Sequence, residues 1–311
     1  MSNKSTMPTI MGLCALLMWS CSIPVSRTVA ERLGPISTGA YAFTIAGLLG
    51  LAHTLFTGKM KQLLLLPGKY LLVCGPIVVT YIVVIYLVIG FASSRQQVIE
   101  VGVVNYLWPA LTLALSVPLL GARPRLLFWP GVLVAMAGVF IAAGSGGGAD
   151  DGEKLTLAGM MLNICRHPVI YLSAFCAAVL WGTYSNLSRL MLPDGSSGGV
   201  SAFLLAAGLV LWLMRPLAPY AESWTPGVAA ELAFAAVFPS CLAYMFWERA
   251  MKEGSVRLVV SASYAVPVLS TILGSLHFGV MPQSTVWLAC GLVVVGAVMC
   301  RLSISEPAAS A

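Results

Sequence analysis

The run Ile99-Glu100-Val101-Gly102-Val103-Val104-Asn105-Tyr106-Leu107-Trp108-Pro109 sets an acid, an amide, two aromatic residues and a proline in otherwise aliphatic text. Moving 158 residues downstream puts Tyr106 on Tyr264 and Pro109 on Pro267. The register holds outward in both directions. Before the run, Tyr86 falls on Tyr244, Ala92 on Ala250 and Val98 on Val256. After it, Leu111 falls on Leu269, Gly121 on Gly279, Pro124 on Pro282, Trp129 on Trp287 and Gly138 on Gly296. At an offset of 162, Trp19, Ser26 and Arg27 fall on Trp181, Ser188 and Arg189. Aliphatic residues coincide by chance in apolar text, whereas Trp, Tyr and Pro in register do not. The chain reads as two related halves.

Composition says where those halves lie. Of 311 residues, 59% are hydrophobic and 9% charged, against about 25% charged in ordinary soluble domains. A soluble globule, a disordered chain and a nucleic-acid-binding module are excluded. A helix needs roughly 20 apolar residues to cross the hydrocarbon core. Ten stretches meet that demand: 8–27, 36–57, 69–92, 97–120, 125–144, 168–190, 198–215, 226–250, 255–277 and 283–302. Five spans per half is an odd number, so the second half enters the membrane upside down. The expected fold is an all-α polytopic membrane protein with ten transmembrane helices from two inverted five-helix repeats. The repeats occupy 1–145 and 167–311, and 146–166 form an outer linker. Inverted repeats are a transporter design, because mirrored halves exchange inward- and outward-facing states around a shared midplane site. A channel is the other use of the same design.

Charge supplies the orientation. With a cytoplasmic amino terminus, 11 of the 17 Lys and Arg residues fall inside, among them Lys59, Lys61 and Lys69, and six fall outside. For lysine alone the split is five to one. Both termini are expected in the cytoplasm, and the net charge of +6 follows topology rather than a polyanionic partner. The first stretch has no small-residue cleavage pattern before a polar chain and reads as a retained span. The eight cysteines show no CxxC spacing and read as free thiols. Asp150, Asp151 and Glu153 in the linker read as hydrated acids; no metal site and no cofactor is expected.

This design resembles the drug/metabolite transporter superfamily, whose members have ten spans made from two five-helix repeats. The run 99–109 is, more narrowly, similar to the motif of YddG-type aromatic amino-acid exporters. The resemblance extends to Trp19-Ser20 in the first span and to Trp181 in the sixth. It implies a bacterial inner-membrane protein exporting aromatic amino acids. Some relatives carry histidines just before the motif, where this chain has Ser94, Arg95 and Gln96, so a proton-handling role does not carry over.

Several non-aliphatic residues fall near mid-depth, and eight are taken as substrate-binding: Trp19, Tyr81, Asn105, Tyr106, Trp108, Trp181, Ser263 and Tyr264. Trp and Tyr ordinarily concentrate at the two interfaces, where Trp129, Trp224, Trp287, Tyr70 and Tyr220 belong. Helix packing accounts for any one mid-depth ring; as a set present in both halves they fit a cavity lining. A proline inside a helix leaves the carbonyl four residues earlier without its donor. Pro109, Pro267 and Pro24 thereby free the carbonyls of Asn105, Ser263 and Ser20. Such groups either receive a substrate ammonium or mark kinks that only shape the bundle, and the Asn105 amide suits a carboxylate.

Only Glu100, Glu231 and Glu248 lie within spans, and Glu100 is expected in a helix's first turn, where an acid complements the macrodipole. There is no HExxH, no Ser/His couple at helical spacing and no Walker A sequence. Catalytic residues are therefore not expected, and the chain does not read as an enzyme. The expected function is facilitative export of Phe, Tyr and Trp, and of other neutral metabolites, by a monomer whose partners are its substrate and the bilayer. The rivals are an exporter of drugs or aromatic cations, which aromatic cages also suit, and a membrane-embedded enzyme.

Overall fold

A computed structural model describes residues 6–121, 123–144, 164–192 and 198–305. The linker stretch 145–163, with its acids, lies outside the described residues. The first half contains α1 (Thr6–Leu33), α2 (Pro35–Phe56), a short α3 (Met60–Leu64), α4 (Gly68–Phe91), α5 (Arg95–Asn105), α6 (Trp108–Leu120) and α7 (Phe128–Gly144). The second contains α8 (Pro168–Met191), α9 (Val200–Met214), α10 (Pro226–Ala235), α11 (Ala243–Glu253), α12 (Val256–Ser263), α13 (Val266–Phe278) and α14 (Ser284–Ser303). Extended structure among the described residues is a two-residue antiparallel pairing of Arg123–Pro124 with Ile304–Ser305. Helix dominates because lipid offers no partner to N–H and C=O groups, which must pair within their own segment. Hydroxyls obey the same rule: Ser20, Thr38 and Thr271 each donate to the carbonyl four residues back, at 2.8 Å.

Helix lies in each of the ten stretches that hydropathy marks. Among the described residues, eight helical segments are long and apolar enough to cross a membrane, and two apolar helices, Phe128–Ala142 and Val266–Phe278, are shorter. The helix of the first stretch continues past residue 27. Helix α1 runs through Pro24 to Leu33, and its last turns are tied by an Arg27–Glu31 pair at 3.0 Å.

The larger departures are interruptions. Stretch 97–120 is two helices, separated at Tyr106 and Leu107, and stretch 255–277 is likewise broken at Tyr264 and Ala265. Pro109 and Pro267 stand at the starts of α6 and α13, where a missing N–H costs nothing. They do not sit inside continuous helices, so the expected kinks are breaks. The two segments that follow are copies of each other. Both run 13 residues and both end on a left-handed glycine, Gly121 and Gly279, each with φ 65. The third interruption is a π-type turn, Ala236–Leu242, which contains Pro239 and joins α10 to α11.

The chain packs as two compact units, each drawing on both halves. The first comprises Met1–Gly90 with Leu187–Ala262, the second Phe91–Asn186 with Ser263–Ala311. In the first unit α2 and α9 cross closely. A Cβ added at Gly47 would strike Leu205, one at Gly50 Ser201, and one at Gly208 Thr44. The partner numbers fall as the first numbers rise, so the helices run antiparallel. In the second unit α7 and α14 do the same. A Cβ at Gly138 would meet Ala289 and Val293, and one at Gly296 would meet Gly131 and Ala135. Shifted by 158, residues 131, 135 and 138 become 289, 293 and 296, so the two contacts are each other's mirror. Small residues permit this approach, and packing is what drives helix association in lipid.

Candidate functional site

In the second unit, Asn105 is the last residue of α5 and Trp108 the first of α6, on either side of the break. Helix α5 begins on a defined cap: Ser94 Oγ accepts from the Gln97 N–H at 3.1 Å, and Gln97 Oε1 accepts from the Ser93 N–H at 2.7 Å. It ends where the Tyr106 N–H donates to the Gly102 carbonyl at 2.9 Å. Asn105, Tyr106 and Trp108 are all buried, yet Asn105 Oδ1 has no hydrogen-bond partner. A buried acceptor left unmet costs about 1–3 kcal/mol. It therefore marks a place where the fold leaves something to be supplied.

Helix α8 forms the wall opposite. The Trp181 ring meets the Trp108 ring edge-on, with centroids 6.3 Å apart and planes at 81°. Tyr184, one turn on, lies 5.5 Å from Trp181. Gly182 lets α8 approach, since a Cβ there would sit 3.1 Å from the Thr112 nitrogen. Asn186 Nδ2 then donates to the Thr112 carbonyl at 2.9 Å. The arrangement is a pair of nearly perpendicular indoles, and the unsatisfied amide oxygen belongs to the residue that ends α5, three positions before Trp108. It offers edges and faces to an aromatic ring and an acceptor to an N–H or ammonium donor.

Ser263 and Tyr264 stand at the equivalent break and are also buried. The Tyr264 hydroxyl has no partner, and neither does Thr285 Oγ1 near the start of α14.

The first unit holds the other two expected residues in a second aromatic cluster. Trp19 Nε1 donates to the carbonyl of Pro239, inside the π-type turn, at 3.1 Å. Its ring lies 5.3 Å from both Tyr244 and Trp247. Tyr81 shares a hydrogen bond with Tyr244. Phe43 lies edge-on between the repeat-related tyrosines, 5.7 Å from Tyr86 and 6.4 Å from Tyr244. The eight expected residues are thus divided between the units: Trp19 and Tyr81 in the first, and Asn105, Tyr106, Trp108, Trp181, Ser263 and Tyr264 in the second. Sequence reasoning left out Phe43, Tyr86, Tyr184, Tyr244 and Trp247. The in-register pair Tyr86/Tyr244 carried a signal for two of them; Tyr184 and Trp247 follow known rings at helical spacing.

Two expectations are corrected. Tyr70 is not an interfacial ring: it is wholly buried, and its hydroxyl accepts from the Gly199 N–H at 3.2 Å. Glu100 lies in the second turn of α5, after the Ser94 cap, so the macrodipole does not explain it. It is wholly buried, with Oε2 accepting from the Tyr171 hydroxyl at 2.9 Å. The other acids inside spans are also engaged. Glu231 accepts from Thr28 Oγ1 at 2.7 Å, and Glu248 from the Gly198 N–H. Among the described residues no three His, Cys, Asp or Glu side chains are grouped to hold a metal.

A further cluster lies outside the expected site. Glu222 accepts from Arg215 at 2.7 Å, from Trp224 Nε1 at 3.0 Å and from the Tyr41 hydroxyl at 3.3 Å, with Trp212 against the Tyr41 ring. These bonds tie Glu222 to both Arg215 and Trp224, so the cluster fastens the 215–225 segment.

Comparison with known proteins places this geometry in context. The EamA-like transporter family matches residues 6–144 and 168–302. The aromatic amino acid exporter YddG of Salmonella typhimurium is 32% identical over 296 residues, covering 95% of this chain and 97% of the relative. The protein of that name from Ancylobacter novellus is 30% identical over 310 residues, covering 97% of this chain and 99% of the relative. One protein of known crystal structure superposes with a TM-score of 0.68 at 27% identity, over 96% of this chain and 97% of its own.

Proposed function

The chain belongs to the EamA-like transporter family, and on that premise we propose that it exports aromatic amino acids across a bacterial inner membrane as a facilitative uniporter. The observations that carry the substrate are the Trp108–Trp181 ring pair and the partnerless oxygen of Asn105, three residues before Trp108. Phe, Tyr or Trp would lay its ring against the indoles. Its ammonium would donate to Asn105 Oδ1, a hydrogen bond to a charged group worth about 1.5–3 kcal/mol. Edge-to-face ring contacts add about 0.5–1.5 kcal/mol each beyond burial. A zwitterion has no net charge, so a site without a free counter-ion suits it. The printed names of the relatives support the same substrate class.

The transport cycle in this reading is alternating access by ten spans in two inverted repeats, with the short α7 and α13 crossing as well. The antiparallel α2–α9 and α7–α14 contacts support the inversion. The lysine asymmetry supports cytoplasmic termini and an outer linker. Trp19 and Tyr81, in the other unit, are proposed as substrate-lining residues on the repeat alone. The protein is proposed to act as a monomer.

Purified protein in liposomes, assayed with labelled Phe, Tyr, Trp and aromatic cations, tests the substrate. Saturable flux of the amino acids is expected; flux of the cations alone would replace this reading with that of a multidrug exporter. Single cysteines at Lys61 and Asp151, labelled with an impermeant reagent on intact cells, test the topology. Reaction at 151 and not at 61 is expected, and the reverse would overturn it.

A further inference from the structure

Two wholly apolar neighbours would hold α5 on α8 at less cost than a carboxylate does. Burying an ionisable group in the membrane is expensive unless it is hydrogen-bonded, yet Glu100 is wholly buried and bonded to Tyr171. The reason lies in the break. In an unbroken helix, the backbone ladder would fix Asn105 relative to Trp108. Here α5 and α6 meet at a turn through Tyr106 and Leu107, where the Leu107 N–H reaches back only to the Val104 carbonyl at 3.2 Å and Pro109 has no N–H to give, so the ladder holds the two pieces less firmly than an unbroken helix would.

Helix α8 is unbroken for 24 residues and lies along both pieces. It touches α5 through Tyr171 and Glu100. It touches α6 through Trp181 at Trp108 and Asn186 at Thr112. The partners ascend together, 171, 181, 186 against 100, 108, 112, so α8 runs parallel to both pieces and acts as their splint. Ten residues separate Tyr171 from Trp181, about 15 Å along a helix. An apolar contact at Glu100 would slide; a directed hydrogen bond fixes rotation and register. Asn105 is five residues beyond Glu100 on the same rigid piece.

We infer that the Glu100–Tyr171 hydrogen bond is a positioning device. It locks the α5 half of the interrupted helix onto α8, so that the Asn105 amide faces the ring pair carried by α6 and α8. The inference rests on the proposed aromatic site and deepens it: Glu100 acts as a hydrogen-bond acceptor, not as a carrier of charge or protons.

The test measures KM and Vmax for labelled tryptophan in liposomes, with Vmax normalised to monodisperse protein of measured melting temperature. Tyr171→Phe and Glu100→Leu each remove the hydrogen bond; KM should rise roughly three- to ten-fold with Vmax per folded molecule retained. A merely structural role would lower the amount of folded protein and leave KM alone. Glu100→Gln keeps an oxygen acceptor for the tyrosine and should restore KM to near the wild-type value. Trp108→Ala and Trp181→Ala run alongside. If these raise KM while folded Tyr171→Phe does not, the positioning inference is overturned and the site stands. If neither indole variant changes KM, the site itself is wrong, and the inference falls with it. If Glu100→Gln is as impaired as Glu100→Leu, the charge and not the acceptor matters, and the inference is overturned. If Glu100→Leu does not fold, Tyr171→Phe decides alone, because it deletes one hydroxyl and no packing atom.

Discussion

The two units solve the same problem in opposite ways. Each sets the first helix of one half beside an interrupted helix, α1 against the π-type turn and α8 against the break between α5 and α6. Each of these rods carries a tryptophan at the interruption, and Trp19 and Trp181 are equivalent in the repeat. In the first unit the indole N–H of Trp19 fills the carbonyl of Pro239. In the second, Trp181 presents its ring to Trp108, and Asn105 Oδ1 is left unmet. An interruption closed by the protein's own donor has no polar group left over at that carbonyl, whatever the face of the Trp19 ring lines. One that keeps an unmet polar atom and carries paired indoles has room in its chemistry for a guest, and on that difference we place the proposed ammonium contact in the second unit.

The comparison breaks most readily at Asn105. Asn105→Ala should weaken aromatic amino acid transport roughly ten- to hundred-fold in KM, the value of a hydrogen bond to a charged partner. Because it deletes an unmet buried oxygen, the melting temperature should hold or rise. A clear loss of stability with unchanged KM would make Asn105 a structural residue. The ring pair comes next. Trp108→Ala and Trp181→Ala should each cost roughly two- to ten-fold in flux at limiting substrate, the worth of one aromatic contact. Export assays normalised to protein abundance check this, and wild-type flux in both would reduce the indoles to packing.

The first unit should answer in stability instead. Trp19→Phe keeps a ring and loses the donor to Pro239, which should lower unfolding free energy by about 1 kcal/mol. Denaturation of the purified protein in detergent reads this directly; an unchanged midpoint would mean the turn does not depend on its cap. The smallest effect expected is that of an imposed pH gradient. Wild-type and Glu100→Gln liposomes should both carry downhill flux without one, as both keep the acceptor for Tyr171. Flux that appears only with the gradient and vanishes in Glu100→Gln would replace the uniport reading with proton coupling.

Much of the site was legible because tryptophan, tyrosine, asparagine and proline are conspicuous in apolar text. Asn105, Trp108 and Trp181 stand out for that reason, and the second unit brings the two tryptophan rings into contact. Tyr70 and Glu100 were misread on a different ground. Their positions near span ends suggested an interfacial ring and a dipole-facing acid, yet both are buried and hydrogen-bonded to segments far along the chain. Phe43 carried no signal, because one phenylalanine among many aliphatic residues marks nothing until its two tyrosine neighbours are known.

The amino-acid sequence by itself determined the helices, their register as two related halves and the two proline positions near which the structure interrupts them. These are local matters: in lipid each segment must satisfy its own backbone, so apolar length marks the helices, while whether a proline kinks or breaks one is left to the fold. The tertiary structure alone decided which polar groups find partners. Trp19 meets a carbonyl 220 positions away, Glu100 a hydroxyl 71 positions away, and Asn105 Oδ1 meets nothing. It also decided that each packing unit draws on both halves. A hydrogen bond between side chains depends on which helices lie side by side, and packing of small residues selects those neighbours.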